Sequence, residues 1–105
     1  MRKATIALFA ASLAVMWAAG DAKAGKEVYT RGCVNCHGAA GEGNPKIAKM
    51  LNVSMQPLGS AAVQAMSDLQ LKDVVLKGMG KMPAVRHVSE TEAADVVAYI
   101  RTFKK

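Results

Sequence analysis

The apolar positions of this chain fall into two regimes. From Ile6 to Trp17 they form a nearly unbroken run without a charge, whereas in the last third they recur at helical spacing. Ala93, Val96, Val97, Ile100 and Phe103 repeat every three or four residues, the period that buries one face of a helix. Tyr99, three past Val96, can join that face. "SETE" at Ser89–Glu92 is a capping box, in which side chain and backbone satisfy each other's unpaired groups. A helix from Glu90 to about Phe103 is therefore predicted. Ser67 and Gln70 in "SDLQ" repeat the signal and predict a second helix over Asp68–Lys77, stopped by Gly78. "GKEVYTRG" reads as a shorter helix from Gly25 to Arg31. "IAKML" suits a helical turn, and "SAAVQAM" another short helix. Glycines make Ala39–Pro45 a loop. No segment alternates as a strand does, so the predicted fold class is all-α.

The opening run changes how much of the chain belongs to that fold. Arg2 and Lys3 precede the apolar stretch, and small residues follow it up to Ala22-Lys23-Ala24. That order describes a secretory signal peptide, and the run is shorter than the roughly 20 residues of a membrane span. Residues 1–24 are expected to be removed, with the bond after Ala24 as the first choice and that after Gly20 as the second. Residues 25–105 would form one small domain. Removal takes Arg2, Lys3, Lys23 and Asp21 with it and lowers the net charge from +6 to +4. The remaining lysines and arginines are scattered, with no run and no aromatic interleaving, which excludes a nucleic-acid surface. A mild positive bias suits steering toward an acidic protein partner. The expected location is the periplasm, an oxidising setting in which two cysteines pair or carry something covalent.

The chemistry concentrates in "CVNCH", where Cys33, Cys36 and His37 stand together and hold the only two thiols of the chain. C-x-x-C-H is the attachment signature of c-type haem. Two thiols three residues apart on a tight turn can reach the two vinyl groups of one porphyrin edge as thioethers. The next imidazole then ligates the iron. The alternatives are a redox-active dithiol, which wants a βαβ setting, a zinc site, which wants a fourth ligand that only His87 could supply, and a plain disulfide. Export and a core with only three aromatics, Tyr29, Tyr99 and Phe103, favour haem, which would fill the middle of a small scaffold.

A haem bound by His37 leaves a sixth iron position. "KGMGKMPA" places Met82 next to Pro83 in a glycine-punctuated loop between the two best-marked helices. A thioether is a soft ligand that raises the potential relative to two histidines, so Met82 is the expected axial partner of His37. Met79 and then His87 are its competitors, and His87 is expected at the surface.

"CVNCHG", "GKMPA" and "DVVAYIRTF" together resemble the class I c-type cytochromes, small monohaem electron carriers, over nearly all of residues 25–105. Gly25 and Tyr29 stand where that family has a glycine and an aromatic ahead of the first cysteine. The resemblance implies a cytochrome c fold, with the N-terminal helix crossing the C-terminal one at Gly25 against Val96 and Tyr99. It implies one haem c held covalently by Cys33 and Cys36, with His37 and Met82 as axial ligands. A backbone carbonyl would accept the His37 Nδ1 hydrogen bond, with Pro45 the best candidate, and Leu51 and Leu58 would line the pocket. The expected function is that of an exported, soluble and monomeric electron carrier, not an enzyme. Its partners would be membrane-bound or periplasmic oxidoreductases, with neither nucleic acid nor lasting membrane contact. The alternative is a haem subunit, or a small peroxidase or sensor domain, of a larger oxidoreductase complex.

Overall fold

The computed structural model describes residues 20–105. The expected leader lies largely outside them. Among the described residues six helices follow one another: α1 (Ala22–Gly32), α2 (Val34–His37), α3 (Pro45–Leu51), α4 (Ala61–Gln64), α5 (Asp68–Lys77) and α6 (Glu90–Arg101). Among the described residues the only β pairing is an isolated bridge between Met79 and Met82, so the architecture is all-α.

Both capping boxes form. Ser67 Oγ accepts from Gln70 N while Gln70 Oε1 accepts from Ser67 N, and Ser89 and Glu92 do the same at α6. α5 then stops at Gly78, whose φ of 79° is the left-handed region that a side chain would strain. α1 departs from expectation at its N-terminus. It starts at Ala22, not Gly25, because the Asp21 carboxylate caps it by accepting from Lys23 N and Ala24 N. Pro45 likewise belongs to a helix, at the first turn of α3, where its missing N–H costs nothing. α6 ends two residues early, and Thr102 and Phe103 continue as a turn.

The principal packing is α1 across α6, with α5 also against α6. Gly25 makes the crossing possible: a Cβ there would stand 1.9 Å from the Asp95 carbonyl oxygen. Val28, Val75, Ala93, Val96 and Ile100 form the buried core between these helices. Tyr29, Tyr99 and Phe103 stack edge-on around it, with centroids 5.0–5.4 Å apart, a favoured geometry for aromatic quadrupoles.

The long loops are pinned to this frame by polar contacts. Arg101 donates to Asp68 Oδ1 at 2.7 Å and to the carbonyls of Gln64 and Met66. Gln64 Nε2 in turn reaches the carbonyls of Leu58 and Ile100. This clasp holds the α3–α5 segment on α6.

Candidate haem site

Cys33, Cys36 and His37 lie in one tight turn. His37 N donates to the Cys33 carbonyl at 3.0 Å and Gly38 N to that of Val34 at 2.8 Å. Gly38, at φ 81°, turns the chain out of α2. The glycine-rich loop then folds back, and Gly43 N and Asn44 N donate to the carbonyls of His37 and Cys36. Asn44 makes two further bonds: its Nδ2 donates to the Asn35 carbonyl, while its Oδ1 caps α3 through Lys46 N. One side chain thus ties the motif to the start of α3, a role not read from the sequence. Its signal was "NP", an N-cap residue before a proline at the first helical position.

Met82 arrives from the other side of the sequence. Beyond Gly78, Met79 and Met82 exchange both backbone hydrogen bonds at 2.9 Å, and Val85 N returns to the Val75 carbonyl. The result is a closed turn. Met82 is half-buried in it, whereas Met79 is 61% exposed. Lys81 Nζ donates to the Leu51 carbonyl, fastening this turn to the end of α3. That contact also went unread, since nothing in the sequence links positions 30 residues apart.

These segments enclose one cavity of about 450 Å³, bordered by Cys33, Cys36, His37, Met79 and Met82. Its walls are overwhelmingly apolar, with Leu58, Leu71, Val75, Val96 and Ile100 among them, and Leu51 and Leu58 both line it as expected. His87, exposed and in the left-handed region, does not border the cavity.

The protonation chemistry separates the competing uses of the motif. Burial pushes the Cys33 thiol up to about 11, reinforced by neighbouring Cys36. A reactive dithiol needs the opposite shift. Both thiols are free, not paired with each other. Among the described residues no three His, Cys, Asp or Glu side chains cluster as a metal-ion cage, and His87, the one further ligand a zinc site could use, does not border the cavity. Burial also holds the His37 imidazole below its ordinary value, so it is neutral and able to ligate. Its Nδ1 is buried with no hydrogen-bond partner. The Pro45 carbonyl therefore does not accept from it, contrary to expectation, because Pro45 is built into the first turn of α3.

The comparisons with known proteins bear on what fills such a cavity. The family described as "Cytochrome C oxidase, cbb3-type, subunit III" matches residues 20–100. This chain belongs to that family. It is 28% identical over 92 residues to "Cytochrome c-554(547)" of Halothiobacillus neapolitanus, covering 82% of this chain and all of that protein. Its fold is similar to that of the solved "KustC0563 c-type cytochrome", with a TM-score of 0.65 at 25% identity, over 77% of this chain and 98% of the other. The protein is a small class I c-type cytochrome with the cytochrome c fold, a haem-based electron-transfer protein.

The residues present fit a covalently bound haem c. An apolar slot, two unpaired thiols at its edge and a neutral imidazole in a dry setting are the donor set that group requires.

Proposed function

We propose that this cytochrome is an exported, periplasmic carrier of single electrons holding one haem c, with Cys33 and Cys36 as thioethers and His37 and Met82 as axial ligands. The observation that carries the reading is that the C-x-x-C-H turn and the Met82 turn border the same apolar cavity. Bound there, the haem supplies a ferric–ferrous couple.

The chain's own residues then do three things. His37, half-buried and neutral, would offer a lone pair from the end of a hydrogen-bonded turn. Met82 offers a soft sulfur from a loop that Gly78, the Met79–Met82 bridge and Lys81 hold closed. The apolar walls exclude water, and a low local dielectric together with a thioether ligand favours the reduced state. Were His37 and Met82 both to hold the iron, no position would be left open for substrate, which would suit a carrier and not a peroxidase. A redox titration of the purified protein should follow a one-electron curve, and the ferrous form should not bind carbon monoxide. Ready carbon monoxide binding would contradict the paired axial ligands.

A second reading has a specific observation in its favour. The family description names an oxidase subunit, so the same domain can work docked in a larger oxidoreductase. Co-migration with a large complex on gel filtration of native extract would favour the subunit. Elution as a free monomer of its own size would favour the carrier.

A further inference from the structure

The start of α1 bears on where the leader ends. Two stretches satisfy the small-residue rule for leader cleavage, Ala18-Ala19-Gly20 and Ala22-Lys23-Ala24. They are not equivalent in the fold. Asp21, between them, is bonded into the domain at both its backbone and its side chain. Its carboxylate accepts from Lys23 N at 2.9 Å and Ala24 N at 3.4 Å. Its carbonyl accepts from Gly25 N at 2.8 Å, and its own N donates to Asp95 Oδ1 on α6 at 2.8 Å. Gly20 is seated against α6 as well, where a Cβ would stand 2.0 Å from the Ala94 carbonyl oxygen.

Cutting after Ala24 would discard this cap and the first turn of α1. It would also put a charged α-amino group on Gly25, a buried residue pressed against the α6 backbone. A buried charge is costly, and a positive one at a helix N-terminus opposes the helix dipole. Cutting after Gly20 keeps the cap and the first turn, and places the new charge on an exposed residue. The new α-amino group is then that of Asp21, already in contact with the Asp95 carboxylate, and the neutral donor there becomes an ammonium facing an acceptor of opposite charge.

We infer that the leader is cut at the Gly20–Asp21 bond or within a few residues before it, and that Asp95 receives the start of the mature chain. The inference rests on the export reading above. The test is intact mass and N-terminal sequencing of the holoprotein recovered from the periplasm. A mature N-terminus between residues 18 and 21 is expected. One at Gly25, or anywhere past Asp21, would overturn the inference and leave export standing. A mass that still includes Met1 would overturn the cleavable-leader reading itself, and this inference with it. Asp95→Ala leaves the leader and its junctions unaltered. It should lower the Tm of the processed holoprotein by roughly 4 °C, whereas an unchanged Tm would show that Asp95 does not receive the N-terminus.

Discussion

The Tyr29 hydroxyl donates to the carbonyl of Gly38 at 2.5 Å, joining the middle of α1 to the residue that follows His37. Tyr29 is among the most buried side chains of the protein, and burial raises its hydroxyl well above the ordinary tyrosine value. It is therefore a neutral donor at every physiological pH. Through it the α1–α6 crossing sets the exit of the C-x-x-C-H turn.

Tyr29→Phe keeps the edge-on contacts with Tyr99 and Phe103 and removes only that bond. The half-buried Gly38 carbonyl then keeps only the weaker bond from Gly41 N at 3.3 Å, and the lost hydrogen bond costs about 1 kcal/mol. Guanidinium unfolding of the holoprotein should show an earlier midpoint at unchanged slope. An unchanged midpoint would mean that the hydroxyl holds nothing.

Gly25→Ala puts a methyl where the Asp95 carbonyl stands 1.9 Å from an ideal Cβ. The two helix backbones must separate, and overpacking of this kind costs about 1–3 kcal/mol or more. Less holoprotein should accumulate, and what is recovered should melt lower. Gly80→Ala is the control for space, since nothing lies within 4 Å of its Cβ position, although its φ of 58° carries a smaller backbone cost.

The two methionines of the closed turn should separate cleanly. Met82→Ala is expected to abolish the weak near-infrared sulfur-to-iron band and to lower the potential. Met79→Ala, at an exposed position, should leave both in place. The opposite pattern would hand the ligand role to Met79.

Glu92 sets an acid limb of stability. Its carboxyl is held below the usual glutamate range, first by the Ser89 backbone N–H and then by Arg31, which it meets at 2.9 Å. A depressed folded-state value contributes stability that is present above the unfolded value and disappears as pH falls through the folded one. Melting of wild type and Glu92→Gln should therefore differ at neutral pH and converge in acid. A difference that persists at low pH would show that charge is not the cause.

Helices with local stop and start signals were legible in the sequence. α5 runs from Asp68 to Lys77 as its capping box and Gly78 dictate, and α6 begins where Ser89 and Glu92 place it. The start of α1 was not, because Asp21 sits among residues that also read as the end of a leader, and its bond to Asp95 spans 74 positions. The site shows the same division. Cys33, Cys36, His37 and Met82 stand out in the sequence by residue type and short spacing, and all four border the one cavity. Asn44 and Lys81, which tie the two turns to α3, act through backbone carbonyls that no side-chain pattern records. Pro45 misled for a related reason. Its place in the chain suited an acceptor for His37, but a proline after an N-cap asparagine opens a helix.

The account depends on a haem bonded to both thiols of the C-x-x-C-H turn. The most direct measurement is the denatured intact mass of the protein from a host with haem-attachment machinery, beside a variant with both Cys33→Ala and Cys36→Ala. The account predicts a gain of one haem that survives denaturation in the wild type and is absent from the variant. A wild-type mass equal to the bare polypeptide, from a colourless sample, would contradict it.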